Sequence, residues 1–308
     1  METKPADAID ELLKTYSETG GINYIETAAS LPSRAPIETA CVELISLMFP
    51  GFRGSPLVDS TDLPEITRTR VRNVRSLLRP EICKSYGRLE AGIATERRVD
   101  ALLDHFIAEL PRIRKMLWTD VDAAYAGDPA AKSYEEVILA YPAIEAIAIY
   151  RMAHVLYDKD VPLVPRLMGE WAHGRTSIDI HPGARIGSHF FIDHGTGVVI
   201  GETCIIGSHV KLYHAVTLGA RSFQKDERGH IKKGGKRHPT VEDNVTIYPS
   251  STVLGGETTI GAGTTIGGNV FLTQSIAANS LVFYEEKQLQ IRQKRSRAEA
   301  TASGARAR

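Results

Sequence analysis

The sequence predicts an α+β fold, with an all-helical N-terminal domain over residues 1–172 and a left-handed parallel β-helix of hexapeptide repeats over residues 173–284. Two periodicities predict it. Apolar residues recur at helical spacing in the first half of the chain, and aliphatic residues return at every sixth position in the second half. Residues 285–308 are basic and rich in alanine, arginine and serine, so we expect a disordered tail.

The first half contains several apolar sets whose spacing places each set on one face of an α-helix. Breaks at Pro50-Gly51, Gly87, Gly127-Asp128-Pro129 and Pro142 predict where the helices end. A succession of helices of ordinary length is therefore expected in this half. The sets lie at residues 12–13, 37–48, 71–82, 99–110 and 144–156.

The second half is rich in glycine, and its aliphatic residues follow a period of six. A triangular coil explains this period, because three short strands make one turn and each strand directs one aliphatic side chain inward. A sandwich of short strands would instead turn at irregular intervals of about 8–12 residues. Stacked coils are therefore predicted to bury a continuous aliphatic column. Its predicted members are Ile180, Ile186, Ile192, Ile200, Ile206, Leu212, Leu218, Val241, Ile247, Val253, Leu254, Ile260, Ile266 and Leu272.

Two irregularities interrupt the period of six. The step from Ile192 to Ile200 is eight residues, so residues 193–197 are expected to bulge from the coil. Residues 219–239 form a loop that is too long and too polar for one hexad, with many lysines and arginines. Such excursions from a regular solenoid are usually functional. Both segments are therefore candidates for a site in the β-helix domain.

Charge and cysteine usage exclude several classes of function. Lysine plus arginine equals aspartate plus glutamate, at 37 each, so no global field favours nucleic acid or a membrane surface. Cys41, Cys83 and Cys204 stand far apart without metal-ligand spacing, which indicates thiols in a reducing compartment. No apolar run approaches the roughly 18 residues of a membrane span. We expect a cytoplasmic protein with no tightly bound cofactor and no metal site.

Asp179 and His194 are a candidate catalytic pair. A carboxylate beside a histidine fixes its tautomer and raises its basicity, which suits a general base. The two residues are fifteen positions apart, which is compatible with a contact between coils of about 18 residues but does not establish one. From residue types alone, a surface histidine near a structural aspartate stays the alternative. Surface positions on the repeat are expected for His181, His189, His209 and His214.

Several motifs between residues 125 and 275 resemble those of the serine O-acetyltransferases. Hexapeptide repeats alone are common to many acyltransferases, whereas this combination of motifs is specific. The motifs are Gly127-Asp128-Pro129-Ala130, Tyr150-Arg151-Met152-Ala153-His154, Asp179-Ile180-His181-Pro182, Asp193-His194-Gly195-Thr196-Gly197 with Val198 to Thr203 after it, Ala215-Val216-Thr217-Leu218-Gly219, and Arg237-His238-Pro239.

The resemblance implies transfer of acetyl from acetyl-CoA to the hydroxyl of L-serine, which is the first step of cysteine biosynthesis. It implies His194 as the general base and Asp179 as its orienting partner. Two carboxylates for an ammonium and a guanidinium for a carboxylate suit a zwitterionic amino acid. The substrate-binding residues that the resemblance implies are Asp128, Asp193, Arg237 and His238.

The resemblance also implies direct transfer in a ternary complex, so Cys204 is not expected to act as a nucleophile. Backbone N–H groups near Gly219 and Ala220 are candidates to stabilise the oxyanion on the CoA side. Active sites of this family lie between neighbouring β-helices, which implies a homotrimer or a dimer of trimers. The basic loop 221–236 either covers the site and attracts CoA phosphates or is a solvated insertion, and the sequence leaves both open.

Two properties concern regulation and partners. Feedback inhibition by cysteine at the serine site is implied by the resemblance. Family members that bind O-acetylserine sulfhydrylase, the next enzyme of cysteine synthesis, do so through a C-terminal isoleucine. This sequence ends with Arg306-Ala307-Arg308, so we do not expect that complex.

Three alternative functions stay open at the level of sequence. The acceptor could be another small molecule, such as homoserine or a sugar. A zinc lyase of the carbonic-anhydrase kind is also built on trimeric β-helices, and the spacings His189/His194 and His209/His214 are compact enough to suggest it. A scaffolding solenoid without catalysis is the third. Rates with a panel of acceptors, zinc content with carbon dioxide hydration, and thiol release from acetyl-CoA distinguish them.

Overall fold

The computed structural model describes residues 5–18, 31–52, 59–86, 93–222, 226–232 and 234–285. Within these residues the helices come first and the strands follow, which confirms the expected fold class. The helices are α1 Pro5–Glu18, α2 Arg34–Met48, α3 Leu63–Tyr86, α4 Ile93–Gly127, α5 Tyr134–Ala140, α6 Pro142–Tyr157 and α7 Val164–Thr176.

Helices α2, α3, α4 and α6 contain the apolar sets that predicted them. Their inward residues form one core, in which Leu44, Leu78, Phe106 and Ile147 are each 0% exposed. Pro142 lies in the first turn of α6, where the missing N–H of proline removes no helical hydrogen bond. The predicted break there is therefore confirmed, as the boundary between α5 and α6, whereas Gly87 lies outside the described residues.

The strands form three parallel sheets: sheet A in the order β1-β4-β7-β10-β13, sheet B in the order β2-β5-β8-β11, and sheet C in the order β3-β6-β9-β12-β14. The chain passes from sheet A to sheet B to sheet C and back, so three strands make one coil of a parallel β-helix. The strands are β1 Ile178–Ile180, β2 Arg185–Ile186, β3 Phe191–Ile192, β4 Val198–Ile200, β5 Ile205–Ile206, β6 Lys211–Leu212, β7 Thr217–Gly219, β8 Thr240–Val241, β9 Thr246–Ile247, β10 Thr252–Leu254, β11 Thr259–Ile260, β12 Thr265–Ile266, β13 Phe271–Leu272 and β14 Leu281–Val282.

The aliphatic column fills the interior of the β-helix. On sheet A, in-register pairing stacks Ile180, Ile200, Leu218, Val253 and Leu272 on one another. Each of them is at most 8% exposed, which confirms the column on this sheet. Leu254, which the period of six also placed in the column, is only half-buried, because the inward position of β10 belongs to the residue before it.

Two corners of this triangular prism carry the interruptions. The turn from sheet C to sheet A, here named the CA corner, contains the bulge 193–197 in the first coil. The turn from sheet A to sheet B, here named the AB corner, contains residues 181–184, 201–204 and the loop 220–239 in successive coils. His194, Gly195 and Gly197 adopt φ values of 60°, 86° and 77°. Positive φ at three of five residues makes the bulge possible, and glycine adopts it without steric cost.

Helix α6 covers the open end of the first coil with polar side chains. Carbonyls on this edge have no preceding coil to donate to them, and buried carbonyls need a donor. The Tyr150–His154 motif supplies these donors and thereby ends the β-helix. The contacts are Tyr150 Oη to Ala184 O at 2.6 Å, Arg151 Nη1 to Ile186 O at 3.2 Å, Arg151 Nη2 to Gly187 O at 2.7 Å, and His154 Nδ1 with Pro182 O at 2.7 Å.

Arg151 also joins the helices to the β-helix through a buried ion pair. Its Nε and Nη2 donate to the two carboxylate oxygens of Asp120 in α4 at 2.7 and 2.8 Å. The two side chains are 7% and 0% exposed. Asp120 Oδ1 also accepts from Phe190 N at 3.0 Å. The pair therefore fixes α4, α6 and the first coil relative to one another.

The helical region passes into the β-helix without a linker. Helix α7 ends at Thr176, and β1 begins at Ile178. Of the tail expected to be disordered, residues 286–308 lie outside the described residues. Among the residues that the structure describes, none of the helices is both long enough and apolar enough to cross a membrane.

Candidate active site

The CA corner of the first coil presents Asp193 and His194 side by side. Strand β3 ends just before them, and Asp193 N donates to Leu212 O of the next coil at 2.8 Å, which fixes the start of the bulge. The side chain of Asp193 is 12% exposed and that of His194 is 71% exposed, with 3.8 Å between Asp193 Oδ1 and His194 Nε2. A carboxylate held beside an accessible imidazole can bind a cation next to a proton acceptor.

Asp128 reaches the same corner from the helical domain, just after the end of α4. Its Oδ2 accepts from Tyr141 Oη at 2.5 Å, and its Oδ1 accepts from Ala130 N at 2.8 Å. The hydrogen bond from Tyr141, together with that from Ala130, lowers the pKa of Asp128. The carboxylate is therefore ionised at neutral pH and held in one orientation.

Lys211 also belongs to this corner, although none of the sequence motifs contains it. Its Nζ donates to Gly127 O at 2.8 Å and lies 3.4 Å from Asp193 Oδ2. The ammonium also packs over the rings of Phe191 and Tyr213, at 4.9 and 4.6 Å from their centroids. Lys211 is in register with Phe191 of the preceding coil, so counting one coil forward along the repeat would have found it.

These residues surround a pocket of about 390 Å³, lined by Asp128, Tyr141, Asp193, His194 and Thr196 among others. The carboxylates of Asp128 and Asp193 line it. The ammonium of Lys211, next to Asp193, compensates the charge of only one of them. The local charge is therefore negative, which favours a ligand with a cationic group. The structure brings together three of the residues that the sequence singled out: Asp128, Asp193 and His194.

The AB corner gathers a second set of polar residues. Arg237 Nη2 makes a short hydrogen bond with Glu202 Oε2, and Tyr157 Oη donates to Glu202 Oε1 at 2.5 Å. The side chain of Arg237 is 28% exposed, and its guanidinium keeps further donors for a carboxylate or a phosphate. Glu202 stood inside a recognised motif, but the sequence analysis assigned it no role.

His238 is buried at this corner against the second coil. Its Nδ1 accepts from Thr203 N at 3.1 Å, so Nε2 carries the proton and is available as a donor. Gly201 makes this packing possible, because a Cβ there would lie 2.1 Å from His238 Cδ2. Burial, followed by the nearby charge of Arg237, lowers the pKa of His238 to about 4. The ring is therefore neutral at pH 7.

Gly219 and Ala220 lie at the AB corner and not beside His194. Gly219 is the last residue of β7, and its carbonyl accepts from Gly255 N at 3.0 Å. Ala220 follows it as the first residue of the long loop. The structure thus groups these two residues with Arg237 at one edge of sheet A, whereas His194 lies at the other edge.

The described part of the basic loop lines a cleft of about 330 Å³ next to the AB corner. Arg221, Lys232, Lys236 and Arg237 contribute cationic side chains to it. Residues 255–258 of the next turn form its opposite wall and contribute one carboxylate, that of Glu257, so the cationic side chains are in excess. Burial lowers the pKa of Lys236, whose Nζ donates to Thr203 O at 2.7 Å. The cleft can attract anionic groups, which Lys and Arg bind well.

Asp179 occupies the outward position of β1, between the two corners. Its carboxylate lies close to α7, where one ligand atom each of Asp179, Glu170 and His173 all lie within 4.8 Å of one another. Among the described residues, no hydrogen bond or ion pair joins Asp179 to His194. The catalytic pairing of these two residues therefore stays a prediction.

The remaining histidines of the repeat pair between coils. His189 stacks on His209 with 4.1 Å between ring centroids, and His194 meets His214 edge-on at 5.8 Å. In the described part of the chain these four histidines form no group of three metal ligands. His181 is half-buried rather than fully on the surface, and burial lowers its pKa to about 4.

The cysteines contribute to packing. Cys41 and Cys204 are buried, Cys83 is half-buried, and all three are free thiols. Burial raises the pKa of Cys204 to about 12. A thiol of this pKa supplies no thiolate at neutral pH, which agrees with the expectation that Cys204 is not a nucleophile.

Comparisons with known proteins identify the relatives of this chain. No family model matches it. A plasmid serine acetyltransferase of Synechococcus elongatus is 44% identical over 260 residues, which cover 82% of this chain and 81% of that protein. This relative spans both the helices and the β-helix.

Two solved structures from Entamoeba histolytica are similar. Serine acetyltransferase 1 in complex with L-cysteine has a TM-score of 0.70 and 37% identity, over 83% of this chain and 88% of that one. Serine acetyltransferase isoform 3 in complex with cysteine has a TM-score of 0.71 and 32% identity, over 97% of this chain and 98% of that one. The chain therefore belongs to the serine acetyltransferase family.

Proposed function

We propose that the protein transfers the acetyl group of acetyl-CoA to the hydroxyl of L-serine, giving O-acetylserine and CoA. The observation that carries this proposal is the pocket at the CA corner, where Asp128 and Asp193 lie beside the accessible imidazole of His194. An acidic pocket suits the ammonium of an amino acid, and an adjacent imidazole suits the activation of its hydroxyl. The relatives named serine acetyltransferase support the same reaction.

In this proposal the two ends of serine are bound by different side chains. Asp128 and Asp193 hold the ammonium group. Arg237 holds the carboxylate by a charge-assisted hydrogen bond, and His238 donates from Nε2 in the same pocket. Because cysteine differs from serine only in its sulfur atom, the same groups would bind cysteine as an inhibitor, and the Entamoeba histolytica relatives have been solved with cysteine.

The proposed site is shared by two chains. Within one chain, the residues for the ammonium and those for the carboxylate lie at opposite edges of sheet A. We propose a homotrimer in which the CA corner of one chain faces the AB corner of its neighbour. Each site then takes Asp128, Asp193 and His194 from one chain and Arg237 and His238 from the next. Pairing of two trimers would leave this arrangement unchanged.

The proposed chemistry is a direct transfer. His194 takes the proton of serine Oγ while that oxygen adds to the thioester carbonyl carbon. The tetrahedral intermediate then breaks its C–S bond, and His194 returns the proton to the CoA thiolate. A general base of this kind contributes a factor of about 10²–10⁴ to the rate. Backbone N–H groups near Gly219 and Ala220 would stabilise the oxyanion.

Two further groups complete the proposal. The cationic cleft of Arg221, Lys232 and Lys236 would hold the phosphates of acetyl-CoA, which acts as a co-substrate and not as a bound cofactor. Asp179 would orient His194 once its side chain turns away from α7. This role makes Asp179→Asn less harmful than the loss of His194 itself, because the base would remain in place.

The decisive experiment measures thiol release from acetyl-CoA with L-serine, for the wild type and for His194→Ala. We expect the variant to lose about 100-fold or more of kcat/KM. His209→Ala is the matched control, since this histidine also lies at a turn of the β-helix but stacks on His189 away from the pocket. Near-normal activity of His194→Ala would remove His194 from the mechanism.

A panel of acceptors tests the substrate. We expect L-serine to be preferred over sugars, because only an α-amino acid presents an ammonium and a carboxylate on the same carbon. Homoserine presents both groups as well, but its additional methylene moves the hydroxyl away from the position that His194 would activate, so we expect it to react more slowly. Equal activity with a sugar would contradict the assignment of serine. Absence of thiol release with every acceptor would favour a scaffolding role.

A further inference from the structure

A second group of polar side chains lies on the outside of sheet A, apart from the pocket at the CA corner. Glu170 and His173 are one turn apart on α7, and Asp179 occupies the outward position of β1. One ligand atom of each residue lies within 4.8 Å of the other two. In the part of the chain that the structure describes, this is the one group of three such residues.

One distance within the group already matches that between two ligands of a metal site. In tetrahedral zinc sites the metal lies about 2.0–2.2 Å from nitrogen and oxygen ligands, so neighbouring ligand atoms are about 3.4 Å apart. His173 Nδ1 already lies 3.4 Å from Glu170 Oε2. The other carboxylate oxygen of Glu170 accepts from Arg166 Nη2 at 2.8 Å, which fixes the orientation of Glu170. Both side chains on α7 are less than half exposed, at 40% and 43%.

The donor types select the metal. One imidazole and two carboxylates suit a first-row transition metal such as Zn²⁺ better than Mg²⁺ or Ca²⁺, which favour oxygen ligands. A Glu and a His three residues apart on a helix also form a recurrent pair of metal ligands in helical proteins. Spacings of cysteine and histidine in the sequence predict no metal site, because this group combines a helical pair with a residue of β1.

We propose that Glu170, His173 and Asp179 bind one Zn²⁺ ion per chain, with water as the fourth ligand. Binding of the ion occupies the carboxylate of Asp179. In the proposed function this carboxylate turns away from α7 and orients His194. Asp179 can therefore not bind zinc beside α7 and orient His194 at the same time. The inhibitory part of the inference therefore rests on the proposed function, whereas the binding part does not.

Binding is measured first, on the full-length protein freed of metal with a chelator. Titration calorimetry with ZnCl₂ should show one site per chain, and Co²⁺ should give the visible absorption of tetrahedral coordination. Because removal of even an outer partner of a metal site costs about tenfold or more in affinity, His173→Ala and Glu170→Gln should each weaken binding by at least that factor. His105→Ala, another exposed helical histidine, should bind as the wild type does.

Two results would overturn the proposed site. One is a wild-type protein that binds no Zn²⁺ in the titration. The other is undiminished binding by His173→Ala together with weakened binding by His189→Ala, which would place the ion at the stacked pair His189 and His209 instead.

Inhibition is measured second, by loss of thioester absorbance at initial rate, since the thiol product itself binds zinc. We expect Zn²⁺ to inhibit the wild type, a chelator to restore it, and His173→Ala to keep its basal rate without inhibition. Equal inhibition of both proteins would overturn the inhibitory role. Binding at this site without any inhibition would also overturn it, and would point to an Asp179 that does not act in the reaction.

Discussion

Replacement of Arg151 by methionine is expected to destabilise the protein by about 3–5 kcal/mol, the usual cost of removing one partner of a buried ion pair. In the native structure Asp120 accepts three hydrogen bonds, two from Arg151 at 2.7 and 2.8 Å and one from Phe190 N at 3.0 Å. Methionine fills a similar length but has no donor, so the fully buried Asp120 would keep one hydrogen bond and lose its countercharge. The carbonyls of Ile186 and Gly187 border an open cleft, so in the variant they can accept hydrogen bonds from water in place of Arg151.

Thermal or urea unfolding followed by circular dichroism measures this effect. A destabilisation of about 4 kcal/mol corresponds to a decrease in Tm of about 6 °C for a chain of this size. Burial raises the pKa of Asp120, and Arg151 opposes this effect. Without Arg151 the pKa of Asp120 in the folded state rises further above that of the unfolded chain, so the variant takes up more of a proton on folding than the wild type does. The deficit relative to the wild type should therefore narrow as the pH decreases from 7 to 5.

A double variant separates the charge from the lost packing. Asp120→Asn combined with Arg151→Met leaves no uncompensated charge, so it should recover about 1–2 kcal/mol of the loss. A single variant that loses less than about 1 kcal/mol would refute the reasoning. So would a double variant that is no more stable than the single one, because the buried charge would then not be the cause.

Two further predictions concern the two corners. Tyr141→Phe removes the donor that holds Asp128, so the KM for serine should rise about tenfold or more, with little change in the KM for acetyl-CoA. A hydrogen bond to a charged group contributes about 1.5–3 kcal/mol, and about 1.4 kcal/mol is tenfold. Tyr134→Phe, which loses a similar bond of 3.0 Å to Asp122, is the matched control, and an equal effect in both would contradict a specific role. Burial holds the pKa of His238 at about 4 in the folded protein, against about 6.5 in the unfolded chain, so stability falls as the pH decreases from 6.5 to 4. His238→Gln should make this dependence shallower by about one proton at most, and an unchanged slope from urea titrations would show that His238 does not contribute.

The repeat explains why so much of the fold was predictable. Inward residues such as Ile200 and Leu218 are aliphatic in every coil. Because these inward positions recur about every six residues, the period is visible in the sequence itself. Helices α2, α3, α4 and α6 were predictable for a similar reason, since each buries one apolar face. Leu254 was misplaced because a period in sequence does not reveal where the chain adds a residue between two strands.

The site was predictable only in part, because its residues are brought together by contacts between domains. Asp128 lies 65 positions before Asp193, and only the packing of α4 against the first coil brings them into one pocket. The same holds for Lys211, whose ammonium bridges the end of α4 and Asp193. No pattern within a short stretch of sequence predicts such contacts between domains. For Lys211 alone, the register between coils gives its position next to Phe191.

Residues 170–179 show a second reason why the site could not be predicted in full from the sequence. The sequence predicts Asp179 only as a partner of His194, whereas the structure places its carboxylate beside Glu170 and His173. The direction in which an outward side chain turns depends on the helix that packs over it, here α7. Spacing along the chain gives the face of the strand but not the neighbour on that face.

The polar motif of α6 also has a consequence for association between molecules. The end of a β-helix exposes a row of peptide groups that a further coil, or the end of another molecule, could extend. Head-to-tail addition of this kind does not close on itself and leads to filaments. Tyr150, Arg151 and His154 occupy the carbonyls through which such addition would proceed. Head-to-tail addition at this end of the β-helix would therefore have to displace the side chains of α6 from these carbonyls.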